Sequence, residues 1–364
     1  MVDNNYLLLT PGPLTTSRAV KAAMQFDYCT WDDDYKKITQ SIRQSLLALG
    51  AVDNQSYTAV PIQGSGTYGV EAVISSVVPT DGTLLIAMNG AYGQRIGQIA
   101  DVYGIQHVDL IVDEREPITL SAIQEIVAQH DDITHFVMVH CETTTGVLNP
   151  IETIVPWMHD RGIVTMVDAM SSFGGIPIDI AALKIDFLIS SANKCIQGVP
   201  GFAFVIANKV CLEAAKGRAR TLSLDLYDQY AEMEKNHGKW RYTSPTHVVH
   251  AFATALEELA TEGGVAQRYA RYQENQQLLV TGMKALGFEA LIPQDYQSPI
   301  ITSFVYPTAA FDFKQFYDDL KVAGFVIYPG KISTVPTFRI GNIGEVYPED
   351  IQRLLIAIQE AVAQ

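Results

Sequence analysis

The chain holds 364 residues, 48% hydrophobic and 18% charged, a globular balance that excludes a disordered polymer. Lys and Arg number 25 against 40 Asp and Glu, and the resulting net charge of −15 argues against nucleic acid or an anionic membrane face as partner. Four scattered cysteines (Cys29, Cys141, Cys195 and Cys211) give neither a disulfide framework nor a C-x-x-C metal or redox pair, so no metal is expected. No apolar window is long enough for a transmembrane helix, and the opening Met1-Val2-Asp3-Asn4-Asn5 lacks a basic leader segment. A cytoplasmic protein of roughly two domains, free of membrane, is expected.

The N-terminal run Leu7–Leu9 is broken by Pro11, Gly12 and Pro13. A helical period follows at Ile38, Ile42, Leu46 and Leu47, then a strand-like run at Tyr57–Ile62, a Gly-rich turn and a helix over Val70–Val78. Apolar runs recur at Leu84–Met88, Val108–Val112, His135–Val139, Ile163–Val167, Phe187–Ile189 and Phe202–Ile206, mostly with helical segments between them. Such strands, apolar throughout, predict a mainly parallel sheet covered on both faces. After Thr243 the pattern changes. Long helices are predicted near 247–261 and 264–286, strands near Ile300–Tyr306, Val326–Tyr328 and Phe338–Ile340, and helices near 312–323 and 348–362. The expected organisation is a large α/β domain over 16–255 and a smaller α+β domain over 256–364 that 1–15 joins.

Three features fall at strand ends. Gly64-Ser65-Gly66-Thr67-Tyr68-Gly69 follows a strand and opens a helix, so its backbone N–H groups suit a phosphate. A ligand-free tight turn is the other reading. A nicotinamide site is disfavoured because the next strand ends Ala87-Met88-Asn89-Gly90, with no carboxylate for a ribose. Asp168 ends an apolar strand, as a ligand-facing carboxylate or as a turn residue. Lys194 stands past another buried strand in Ser190-Ser191-Ala192-Asn193-Lys194, as a desolvated amine or as a surface lysine. Together, a phosphate cradle, an anionic partner for a ring nitrogen and an amine for an aldehyde match the needs of pyridoxal 5′-phosphate.

The chain resembles the fold-type-I pyridoxal-phosphate aminotransferases of class V nearly end to end. The blocks that carry the likeness are Leu7-Leu8-Leu9-Thr10-Pro11-Gly12-Pro13-Leu14-Thr15, Asn89-Gly90-Ala91-Tyr92-Gly93 and Glu142-Thr143-Thr144-Thr145-Gly146. They continue in Val167-Asp168-Ala169-Met170-Ser171-Ser172-Phe173-Gly174-Gly175-Ile176-Pro177 and in Asn193-Lys194-Cys195-Ile196-Gln197-Gly198. The last is Phe338-Arg339-Ile340-Gly341-Asn342. The resemblance implies that Lys194 forms the Schiff base and that Asp168 faces the pyridine nitrogen. Ser65, Gly66 and Thr67 would hold the phosphate, with Asn193 adding to that shell. Tyr92 would stack on the ring, Thr143 would lie near its 3′ oxygen, and Arg339 would clamp the substrate's anionic group. Thr243 would reach the phosphate of a neighbouring subunit, which implies a homodimer. The implied reaction moves an amino group from a small donor, 2-aminoethylphosphonate, to pyruvate. An alanine–glyoxylate or serine–pyruvate specificity is the nearest alternative. Whether Arg18 or Arg95 assists with the phosphonate stays open at this level.

Overall fold

The computed structural model describes residues 6–332 and 335–363; positions 1–5, 333–334 and 364 of the expected small domain lie outside the described residues. Seven strands build the main sheet: β1 (Tyr57–Gln63), β2 (Thr83–Met88), β3 (His107–Ile111), β4 (Ile133–Val139), β5 (Val164–Asp168), β6 (Phe187–Ser191) and β7 (Phe202–Asn208). Their spatial order is β1-β7-β6-β5-β4-β2-β3. The contacts β6–β5, β5–β4, β4–β2 and β2–β3 are parallel, whereas β7 runs antiparallel to both β6 and β1. The sequence reading placed β7 in the parallel set without distinction. Its reversal follows from the link that precedes it. Residues 192–201 form turns rather than a helix, and a parallel crossover needs a dozen or more residues, usually helical.

Alternate residues of each strand point to opposite faces, and each face is covered. Leu85, Ala87, Phe136, Met138, Val167, Leu188, Phe204 and Ile206 form one core with helices Asp33–Leu49 and Thr246–Glu262. Leu84, Ile86, Met88, Val137, Val139, Met166, Ile189 and Val205 form the other with α1 (Gly66–Val77) and α2 (Ala91–Val102). A third core gathers Leu9, Leu279, Met283, Phe288, Phe304, Phe338, Ile340, Leu354 and Ile358 around strands β8 (Ile301–Val305), β9 (Tyr328–Pro329) and β10 (Thr337–Gly341), in the order β8-β10-β9. The segment predicted as one strand at Val326–Tyr328 is divided. Phe325–Val326 pairs in parallel with Leu7–Leu8, and β9 pairs with β10.

The expected domain boundary at 255/256 falls inside helix Thr246–Glu262. Leu256 and Leu259 beyond it are buried in the main-sheet core. The helix stops at Gly263, whose φ of 106° is left-handed and suits glycine. No helix among the described residues is long and apolar enough to cross a membrane.

Phe252 anchors the helix against the sheet, edge-on to Phe202 at 5.0 Å between ring centroids and 5.9 Å from Phe204. Phe252→Ala is expected to destabilise the chain by about 3–5 kcal/mol, read as a lowered urea midpoint with an unchanged slope.

Candidate active site

The carboxyl ends of β1, β4, β5 and β6 open on one cavity of about 670 Å³. Its lining includes Ser65, Gly66, Thr67, Tyr92, Arg95, Asp168, Asn193 and Lys194. Open α/β sheets place ligands at this edge because loops there diverge while the strands stay rigid.

At one end of the cavity β1 turns into α1. Gly64 takes a φ of 127°, which glycine adopts without strain. Ser65 is the extended N-cap, and its hydroxyl makes no capping bond. The first N–H groups of a helix lack intrahelical partners and carry partial positive charge, so this end attracts an anion. A Cβ on Gly66 would lie 2.3 Å from Met170 Sδ, so the Met170 side chain packs directly on the helix start.

Asp168 ends β5 and is 5% exposed. Its Oδ1 accepts from the Met170 N–H at 2.9 Å. Burial pushes its carboxyl up to about 6; the Met170 bond and the charges of Lys194 and Arg95 pull the other way, while Glu142 adds to the rise. Lys194 lies past the end of the adjacent strand β6. Burial pushes its ammonium down to about 8, against the pull of Asp168. Lys194 Nζ donates to the carbonyls of Pro11 at 2.7 Å and Gly12 at 3.4 Å. A Cβ on Gly12, whose φ is 106°, would sit 2.6 Å from Lys194 Cδ. The Thr10-Pro11-Gly12-Pro13 turn is therefore a lid over the lysine stem.

Tyr92 stands in the first turn of α2. The N-cap is Gly90, which has no side chain to cap with, and Glu142 does so instead. Its buried carboxylate accepts from the Tyr92 N–H at 3.1 Å and from the Thr144 N–H and hydroxyl at 3.1 and 2.7 Å. Burial raises its pKa, and these bonds oppose the rise. A Cβ on Gly90 would meet Glu142 Cδ at 2.4 Å.

Three expected residues lie outside the cavity lining. Thr143 is fully buried, and its hydroxyl has no hydrogen-bond partner among the described residues. Arg339 is 3% exposed; its Nη1 donates to the Thr143 carbonyl at 2.8 Å and its Nε to that of Pro329 at 3.0 Å. Thr243 is exposed and borders a separate cavity with Gly64, Tyr68 and Tyr242.

Sequence reasoning missed Glu142, His140 and Lys331 as site residues. His140 is fully buried behind Asp168. Its backbone N–H donates to the Asp168 carbonyl at 2.9 Å, and Nδ1 lies 2.9 Å from Ser172 Oγ. Burial pushes its pKa down to about 3, which keeps the imidazole neutral. A histidine after an apolar strand carries no signal of this kind; only the β4–β5 pairing brings it to Asp168. Among the described residues no cluster of His, Cys, Asp and Glu is suited to a metal ion.

Residues 30–345 match the sequence profile of the family described as aminotransferase class-V. The chain belongs to that family. A curated 2-aminoethylphosphonate–pyruvate transaminase of Lactiplantibacillus plantarum is 59% identical over 354 residues, covering 97% of each chain. The protein of that name from Bacillus mycoides is 58% identical over 365 residues, covering 100% of this chain and 99% of its own. Two solved structures share the fold. Pyridoxamine–pyruvate aminotransferase of Mesorhizobium loti superposes with a TM-score of 0.91 at 22% identity, covering 99% of this chain and 93% of its own. Alanine–glyoxylate aminotransferase of Nostoc superposes with a TM-score of 0.90 at 23% identity, covering 100% and 96%.

Within this class-V chain the state of Lys194 is directly testable. The neutral amine is the nucleophile, and desolvation brings half of it to that form near pH 8. Competitive acetylation across pH should show Lys194 labelling levelling off above that pH, while exposed lysines continue to gain reactivity toward about 10.4. Asp168→Asn removes the negative neighbour and should move the Lys194 midpoint lower still, read by mass spectrometry of the labelled peptide.

Proposed function

We propose that the chain binds pyridoxal 5′-phosphate and transfers the amino group of 2-aminoethylphosphonate to pyruvate, giving phosphonoacetaldehyde and L-alanine. The observation that carries the cofactor reading is the convergence of buried Asp168 and half-buried Lys194 on one cavity that also receives the open N-terminus of α1. The orphaned Thr143 hydroxyl fits such a group. The substrate reading is supported by full-length relatives of that name at 58–59% identity.

When bound, pyridoxal phosphate supplies an aldehyde for an amine and a protonated ring that draws electrons from the substrate carbon. Ser65, Gly66, Thr67 and Asn193 would hold its phosphate. Asp168 would face the ring nitrogen, where a cation restores the carboxylate that burial alone disfavours. Tyr92 would cover the ring, and Thr143 would bond the 3′ oxygen. Lys194 holds the aldehyde at rest. Freed by a donor amine, Lys194 would take the proton from the amine-bearing carbon of the substrate and return it. Near-neutral basicity suits that task, because one amine must both take and return the proton. Arg339 binds the anionic end of donor and acceptor in turn, its planar fork already aimed by the carbonyls of Thr143 and Pro329. Exposed Thr243 suits a residue that acts across a subunit interface on the neighbour's phosphate, in a homodimer.

Incubation of cofactor-loaded protein with 2-aminoethylphosphonate and pyruvate should yield alanine and phosphonoacetaldehyde in equal amounts. Turnover of serine with none of 2-aminoethylphosphonate would overturn the substrate reading. Lys194→Ala should lose the visible absorbance of the loaded enzyme and about 10²–10⁴-fold in kcat, the range of a positioned acid–base group. Arg339→Ala should raise KM for both substrates; unchanged kinetics for either would remove the shared clamp.

A further inference from the structure

Both substrates of the reading above carry an anion, but the anions differ. Pyruvate presents a carboxylate with one charge and two oxygens. A phosphonate presents three oxygens and approaches two charges near neutrality. One guanidinium fork matches two oxygens, which is complete for the first and incomplete for the second.

The structure gathers more positive charge here than one carboxylate needs. Arg339 lies on β10 opposite Tyr328 of β9, with the guanidinium carbon 5.7 Å from the Tyr328 ring. The chain leaving β9 reaches Lys331 through Gly330, whose N–H donates to the Thr337 carbonyl at 2.9 Å. A Cβ on Gly330 would meet that carbonyl oxygen at 2.4 Å, so the close approach fixes where Lys331 emerges. Its ammonium lies 5.6 Å from the centre of the Tyr92 ring, and the Arg95 guanidinium lies 5.1 Å from the same ring. Arg339 and Arg95 both bear on Lys331 as like charges, alongside partial desolvation. The opposing carboxylate is Glu142, and its oxygens already accept from Tyr92 and Thr144. Among the described residues no carboxylate forms an ion pair with Lys331, Arg95 or Arg339. Uncompensated like charges around one aromatic ring are unfavourable until an anion arrives.

The three cations have different duties. Arg95 Nη1 donates to Thr67 Oγ1 at 3.2 Å, which ties it to the helix end that would hold the cofactor phosphate. Arg339 is the buried fork. Lys331 is exposed and reaches the same ring from the β9–β10 connection. We propose that Lys331 binds the third oxygen and second charge of the phosphonate, and so sets the preference of the donor half-reaction for a dianion. This rests on the donor named above. A lysine suits the task, because an ammonium is a point charge without the fork geometry that Arg339 already supplies.

The test uses cofactor-loaded wild type, Lys331→Gln and Lys331→Arg, with each half-reaction followed separately. Lys331→Gln should raise KM for 2-aminoethylphosphonate about tenfold, the scale of one lost charge-assisted bond. The alanine and pyruvate side should change by less than about twofold, since a carboxylate is complete on the Arg339 fork. Lys331→Arg should restore most of the donor affinity. Non-reacting ethylphosphonate and propionate, measured by calorimetry on the same proteins, should divide the same way, with only ethylphosphonate weakened. Equal losses for both anions, or an unchanged ethylphosphonate affinity, would overturn the role of Lys331. A wild type that binds ethylphosphonate through Lys331 yet does not turn over 2-aminoethylphosphonate would overturn the donor reading and leave the dianion subsite standing.

Discussion

The site depends on two ionisable groups of opposite sign being desolvated at or just past the ends of neighbouring strands without being left to neutralise each other. Asp168 ends β5, and Lys194 follows in the turn three residues past the end of β6, which pairs in parallel with β5. Burial moves both toward neutrality, the carboxyl up and the ammonium down. A protein interior tolerates this because each group keeps one specific partner, the Met170 N–H for Asp168 and the Pro11 carbonyl for Lys194. What remains is a pair whose charged forms a ligand can recover. A ring cation beside Asp168 and an aldehyde at Lys194 each relieve part of the desolvation that folding imposed.

Several glycines serve that arrangement by leaving room for other chains. Gly12 admits the Lys194 stem, Gly66 admits Met170, and Gly90 admits the Glu142 carboxylate that caps α2. Three remote segments therefore converge on the cavity through close side-chain contacts that an added methyl group would displace. The C-terminal sheet takes part as well, since the Arg339 fork reaches from β10 to the Thr143 carbonyl. Closure of the N-terminal turn over Lys194 ties together residues 183 apart in the chain.

Much of the fold was legible because buried parallel strands are apolar throughout. Asp168, Lys194 and the Gly64–Gly69 turn were readable from type and position together. Their roles came from resemblance and from the pairing of features, not from any one residue. The reversed strand β7 was hidden, since the apolar pattern of a strand does not encode its direction; only the lack of a helix in 192–201 hinted at it. His140, Glu142 and Lys331 were hidden for a different reason. Each acts through neighbours supplied by strand order, and a polar residue next to an apolar run looks the same whether it caps a helix, backs a carboxylate or faces solvent. The boundary expected at 255/256 lies within one amphipathic helix that stays in the sheet core to Leu259.

The overall charge of −15 and the cationic end of the cavity act on different length scales. At physiological ionic strength, charges on the exposed surface are screened beyond about 8 Å, so the acidic surface neither guides nor strongly repels an anion at a distance. Arg339, buried beside the cavity, is nearly dry, and its field is far less screened. On the proposed reading, recognition rests on contacts made after entry, where a fork and a point charge distinguish two oxygens from three. An aminotransferase that must admit two anions in alternation gains from this. Strong long-range attraction would hold both products, whereas a short-range arrangement binds each anion by the number of its oxygens and lets it leave when the amino group has moved.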